Sequence, residues 1–277
     1  MDAPLQKPNA LETATDADAF VLGGVSRSFG RNVVLRDLSL AIPAGQHVAV
    51  IGPSGAGKTT LFRMLSAFLF PTQGRVLSLG QDTTRLRGRR LRALRRDIGV
   101  IYQTDNLVPH LRVVHNVLMG RLGHWWLPQA MFSLFWPLQL QLARAALREV
   151  EIEDKLWAMP GELSGGQQQR VAIARLLVQN PRCILADEPV SQLDVRLGRE
   201  VIELLIRVAN KSGATLLVNL HTLDLLRGNF ARVIALREGN VFYDGSPDGL
   251  TAETLKELYG AEYRALHVDD WLPGASP

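Results

Sequence analysis

One short stretch limits what this chain can fold into more than any other: Gly52-Pro53-Ser54-Gly55-Ala56-Gly57-Lys58-Thr59-Thr60, which fits G-x-x-x-x-G-K-[ST]. The apolar run His47-Val48-Ala49-Val50-Ile51 before it predicts a buried strand, and Leu61-Phe62-Arg63-Met64-Leu65 after it predicts a helix. Glycines let the backbone curl so that successive N–H groups point inward, and the helix N-terminus adds positive potential. The stretch is therefore a candidate phosphate cradle. Lys58 would reach the β- and γ-phosphates of a nucleotide, Thr59 would offer its hydroxyl to Mg²⁺, and Thr60 would present its N–H from the first helical turn.

A chain of 277 residues, 47% hydrophobic, can bury a sizeable core and reads as one large domain. Its formal charge of +4 is too small to argue for nucleic acid. The single cysteine, Cys183, excludes an internal disulfide framework and fits a core position. Residues 1–18 mix Pro, Ala and acids with neither a basic start nor an apolar segment, and they predict a disordered tail rather than a targeting sequence. Nowhere does the chain reach the roughly 18 uninterrupted apolar residues of a membrane-spanning helix, so a membrane role would be peripheral.

Ahead of the cradle, residues 20–40 alternate apolar and polar with a turn at Gly30-Arg31-Asn32, which predicts antiparallel strands. Phe29 could stack on an adenine ring there, or be an ordinary strand-end aromatic. The arginine-rich residues 85–96 carry Leu at helical intervals, as an exposed amphipathic helix does; no aromatic platform accompanies the charge, so nucleic acid is not the expected partner. The strand Ile98-Gly99-Val100-Ile101-Tyr102 delivers Gln103, whose amide oxygen could coordinate Mg²⁺. Trp125, Trp126, Phe132, Phe135 and Trp136 crowd a segment interrupted by Pro128 and Pro137. They form either the core of a helical subdomain or a docking surface.

Leu163-Ser164-Gly165-Gly166-Gln167 precedes a helical pattern, with Ser164 placed as its N-cap and two glycines allowing close backbone approach. One nucleotide rarely needs two helix-headed cradles from one chain. Two copies meeting head to tail resolve this, each cradle holding one end of a nucleotide whose other end lies on the partner. Further on, the buried run Cys183-Ile184-Leu185-Ala186 ends in Asp187-Glu188-Pro189. At a strand's carboxyl end, Asp187 would hold the Mg²⁺ shell and Glu188 would polarise an attacking water. Asp194 suits capping of the next helix, and His221, after the apolar residues 214–220, could contact the γ-phosphate. The remaining histidines show no metal-site spacing.

Together these residues resemble the ATP-binding subunits of ABC transporters over about residues 20–260. The family's aromatic loop, Walker A, Q-loop, LSGGQ signature, Walker B, D-loop and H-loop match Phe29, residues 52–60, Gln103, residues 163–167, residues 183–188, residues 191–194 and His221 in order. Phe29 stands for the more usual Tyr, and Gln192 for a small D-loop residue. The resemblance implies an α/β P-loop NTPase with a mixed core sheet, an N-terminal antiparallel β subdomain and a helical signature subdomain at about 104–178. The cassette would occupy residues 19–260, followed by a C-terminal tail at 261–277. It also implies ATP and Mg²⁺ as ligands and a head-to-tail dimer with a second copy. Transmembrane permease subunits and, indirectly, a solute-binding protein would be further partners, with the chain peripheral on the cytoplasmic side of the inner membrane.

Local wording narrows the resemblance. Asn106-Leu107-Val108, residues 116–123, Gln167-Gln168-Gln169-Arg170 and Val218-Asn219-Leu220-His221 are similar to phosphonate-import ATPases. Importers of phosphite, phosphate or an amino acid, and a soluble ATPase switch in an enzyme assembly, are the competing expectations.

Overall fold

The computed structural model describes residues 11, 15, 17–103, 106–135 and 137–266, without the side chains of residues 127, 130, 134, 135 and 264–266. The chain divides into two compact units, one made of the residues up to Leu94 and those from His221 onward, the other of Arg95–Leu220.

In the first unit β1 (Asp18–Phe29) and β2 (Asn32–Pro43) form a long antiparallel hairpin. Its turn is the Gly30-Arg31 pair that the sequence marks, with Gly30 at φ +60°. β4 (Gln73–Ser78) lies on the other side of β1, and the two-residue β5 (Gln81–Asp82) completes the order β2-β1-β4-β5. Phe20, Leu22, Leu35, Leu38 and Ile42 are wholly buried, and β1 is buried continuously from Ala19 to Gly23, on both of its faces. β3 (His47–Ile51) pairs in parallel with β9 (Arg232–Arg237), and β10 (Asn240–Gly245) closes a hairpin onto β9. α1 (Lys58–Leu65) follows β3, and α8 (Ala252–Tyr259), capped by the Thr251 hydroxyl, follows the hairpin.

The arginine-rich stretch forms α2 (Gly88–Arg96), shorter than the pattern, because a 3₁₀ turn at Thr83–Arg85 precedes it and the helix opens at Gly88, whose φ is +54°. Leu94 alone is buried on it, as an exposed amphipathic helix requires.

In the second unit β7 (Cys183–Asp187) runs parallel between β6 (Ile98–Ile101) and β8 (Thr215–Asn219). Every residue of β7 and β8 is buried, which explains their unbroken apolar runs. Four helices accompany them after α3 (Val113–Leu118): α4 (Leu127–Phe135), α5 (Leu140–Glu149), α6 (Gly165–Gln179) and α7 (Val195–Ser212). α6 is apolar over much of its circumference, with Val171, Ala172, Ile173, Ala174, Leu176 and Val178 all buried, because α3, α5 and α7 all pack on it. α7 is amphipathic, begins at the Asp194 cap and ends at Gly213 in the left-handed conformation. Pro128 stands in the first turn of α4, where a missing N–H costs nothing, so it opens that helix rather than interrupting it.

The boundaries at both ends shift. Asp18 already belongs to β1 and accepts from the Thr15 N–H, and Gly260–Leu266 forms a 3₁₀ helix within the stretch read as a C-terminal tail. The rest of the expected tails, residues 1–10, 12–14, 16 and 267–277, lies outside the described residues, as does Trp136.

Candidate nucleotide site

The phosphate loop turns sharply out of β3. Gly52 has φ +140°, and a Cβ there would stand 2.1 Å from the backbone oxygen of Leu236. Gly57, at φ +101°, caps α1, and a Cβ would meet the Leu35 side chain at 2.5 Å. Only glycine fits either position. Gly55, between them at φ +78°, has open space where a Cβ would stand. Lys58 is buried, and its ammonium donates to the carbonyls of Gly52 at 2.6 Å and Pro53 at 3.0 Å. The charge is thereby held at the loop's own rim. The Ser54 N–H donates to the Glu262 carboxylate at 3.4 Å. Ala56 is buried behind the loop, while Thr59 is exposed and Thr60 half-buried.

Beside Gly55 lies a cavity of about 510 Å³ lined by Asn32, Val34, Arg36, Glu238 and Asn240. Phe29 does not line it. It sits at the end of β1, 48% exposed, with the Arg27 guanidinium 4.4 Å over its ring and that guanidinium donating to the Phe70 carbonyl. One face of Phe29 is therefore already covered by a cation.

In the second unit the acid pair ends β7 as its sequence predicts. Asp187 is only 6% exposed and accepts from the Asn219 amide at 2.6 Å, the two facing each other in register across β7 and β8. Glu188, next along, is half-buried at φ +52°, a conformation that costs a non-glycine residue on the order of 1 kcal/mol or more. Three contacts hold it there. Its N–H donates to the Asn219 carbonyl, and its own carbonyl accepts from the N–H and hydroxyl of Ser191.

Ser164 and Gln167 form a reciprocal capping box, the Ser164 hydroxyl accepting from the Gln167 N–H at 3.3 Å and the Gln167 Oε1 accepting from the Ser164 N–H at 3.0 Å. Ser164 and Gly165 are exposed; Gly166 is buried. The Asp194 carboxylate accepts from the Leu197 N–H at 2.9 Å, and this cap accounts for Asp194 by itself. Gln103 is exposed, two positions beyond the end of β6, which stops at Ile101 rather than Tyr102. His221 is half-buried, two positions beyond the end of β8.

Among the described residues no group of three or more His, Cys, Asp or Glu forms a metal cluster. Mg²⁺ in a phosphate site takes one or two protein oxygens and completes its shell with phosphate and water. Thr59, Asp187 and Gln103 are hard oxygen donors of that kind. The buried Asn219 Oδ1 also lacks a protein partner.

Sequence reasoning passed over Arg175 and read Asn106, Asn116 and Asn219 only as family wording. Asn116 is wholly buried and donates to the carbonyls of Val108 and Leu111. An asparagine inside the apolar pattern of α3 was the signal available.

A phosphate loop between a buried strand and a helix, an acid pair closing a parallel strand, and a second helix headed by an exposed Ser-Gly define a P-loop nucleotide hydrolase of cassette type. The chain belongs to the ABC transporter family, whose pattern it matches over residues 35–191. It is 42% identical over 257 residues to the phosphonates import ATP-binding protein PhnC of Rhizobium etli, covering 93% of this chain and 92% of that one. Among solved structures it resembles a bacterial ABC transporter cassette determined as a dimer, with a TM-score of 0.72 and 32% identity over 83% of this chain and all of that one. A dimeric ATP-binding cassette in a post-hydrolysis state with ADP and Pi gives a TM-score of 0.70 at the same identity and coverage.

Proposed function

We propose that this chain is the ATP-hydrolysing subunit that powers ABC-type import of phosphonates. The observation that carries the reading is the pair of helix N-termini, one at Lys58 behind the glycine loop and one headed by the exposed Ser164 and Gly165, in a chain so similar along its length to phosphonate-import ATP-binding proteins. Two copies meet head to tail. The loop of residues 52–60 on one holds a triphosphate that Ser164, Gly165, Gly166 and Gln167 of the other cover, with Asp194 beside them. Phe29 offers its uncovered face to the adenine.

Lys58 leaves its loop carbonyls for the β- and γ-phosphates, a short swing for a flexible side chain. Thr59, Asp187 and Gln103 are the residues that would hold Mg²⁺, which would neutralise charge on the phosphates. Glu188 orients and deprotonates the attacking water, and His221 hydrogen-bonds the γ-phosphate. The strained backbone at Glu188 supports its role, since such conformations concentrate where a side chain must be aimed.

Permease subunits dock on the helical unit, where Trp126 (71% exposed), Met131 and Phe132 stand out beside an apolar cavity of about 180 Å³ lined by Leu111, Leu118 and Met119. No described helix is long and apolar enough to cross a membrane, consistent with peripheral attachment at the cytoplasmic side of the inner membrane.

The test is Glu188→Gln in the subunit assembled with its permease and binding protein. The variant should bind ATP yet lose hydrolysis by about a hundredfold or more, and phosphonate, rather than phosphate, phosphite or an amino acid, should stimulate the parent. Parental hydrolysis by the variant overturns the base, stimulation by another solute overturns the substrate, and stable recovery with soluble enzymes and no membrane protein overturns transport.

A further inference from the structure

Helix α6 carries a half-buried arginine, Arg175, whose charge meets no acid among the described residues. Burial pulls the Arg175 guanidinium down to about 10. Its acceptors are neutral oxygens: Nε donates to the Asn116 carbonyl at 3.0 Å, and a terminal nitrogen donates to the Asn106 carbonyl and to Asn116 Oδ1 at 3.4 Å. A cation drawn partly out of water and given, among the described residues, only neutral oxygens is an expensive way to hold a helix.

Each acceptor leads to a different part of the unit. The Asn106 side chain closes the exit of β6, accepting from the Tyr102 N–H at 2.8 Å and donating to the Tyr102 carbonyl at 2.5 Å, so that both backbone groups of the residue just before Gln103 are held. Asn116, in α3, accepts from the Val108 N–H at 2.8 Å and so fixes the chain just beyond. One guanidinium therefore joins the Gln103 exit, α3 and the helix that Ser164 heads.

We propose that Arg175 is a positioning residue that makes the Gln103 exit and the Ser164-headed helix move as one body, so that a triphosphate engaged at Ser164 is registered at Gln103. The proposal rests on the ATPase reading of those two residues. It requires the planar fork of an arginine: lysine keeps the charge but is a point donor on a flexible stem, and methionine keeps the bulk without donating.

The full-length chain is compared with Arg175→Met, Arg175→Lys, Asn106→Ala and the Met/Ala double variant, by amide hydrogen exchange and ATP kinetics. Asn106→Ala removes the bridge from the loop end and leaves α6 untouched, so it does not depend on Arg175→Met folding well. The linkage predicts exchange at residues 106–108 faster by about tenfold in Arg175→Met and Asn106→Ala, with β7 and β8 at parental rates. It predicts kcat lower by about tenfold with KM within about threefold, Arg175→Lys intermediate, and a double variant no worse than the more severe single one. Parental exchange at 106–108 in Arg175→Met overturns the proposal. So does faster exchange throughout β7 and β8, or losses that multiply in the double variant. Failure of the ATPase reading shows separately as parental hydrolysis by Glu188→Gln, and the exchange measurement still decides the linkage.

Discussion

Asn219 donates its side-chain amide to the carboxylate of Asp187 across 2.6 Å, both groups buried and in register on adjacent parallel strands. The amide fixes which way the carboxylate points without adding a second negative charge beside it. Asn219→Asp removes that distinction. It also replaces the donor by a second acidic group, so the buried pair loses its hydrogen bond and Asp187 loses the group that orients it. Thermal melting checks this: Asn219→Asp should melt well below the parent, and a parental midpoint would contradict the role of the amide.

Ser164 caps α6, and the proposed contact with a partner copy's nucleotide would be a second duty separable from the first by size. Ser164→Ala deletes the acceptor for the Gln167 N–H and should cost about 1 kcal/mol of stability, as loss of an N-cap does. If the exposed hydroxyl also meets the partner copy's nucleotide, hydrolysis should fall by more than the small unfolded fraction explains. Denaturant unfolding and steady-state ATPase on the same preparation read the two losses independently.

Gly120 sits where a 3₁₀ turn crosses α6, and a Cβ there would lie 2.5 Å from the Arg175 carbonyl and 2.9 Å from the Gln179 nitrogen. The obstacles are helix backbone, which cannot rotate aside. Gly120→Ala should destabilise the helical unit by about 1–3 kcal/mol, visible as a lower denaturation midpoint, with the loss of stability exceeding that of Ser164→Ala.

Cys183 is wholly buried at the start of β7, and burial pushes its thiol up to about 12. It stays protonated through the working pH range. The native chain should resist thiol-reactive dyes for hours near pH 8 and react fully once unfolded in denaturant; prompt labelling of the native chain would contradict the burial of β7.

Much of the candidate site was legible because its chemistry is local in sequence. The glycines of residues 52–57, the caps at Ser164 and Asp194 and the acids that end β7 each follow from conformational freedom or capping within a few residues, and the structure reproduces them. The aromatic segment was not legible in the same way. Its composition suits a core or a docking surface equally, and only packing leaves Trp126 and Phe132 exposed while Trp125 is half-buried.

The sequence by itself determined the phosphate loop, the order of the strand-end residues and the family, because glycine conformation, helix capping and apolar periodicity act over a single turn or strand. Tertiary structure alone decided that Asn219 orients Asp187, that Glu188 is held in a left-handed conformation, that Lys58 rests on its own loop carbonyls, and that Arg175 joins Asn106 to Asn116. The reason is physical. A polar side chain drawn out of water, whether amide, ammonium or guanidinium, takes whatever acceptors the folded chain brings to it, and most of those acceptors come from elements distant in the chain.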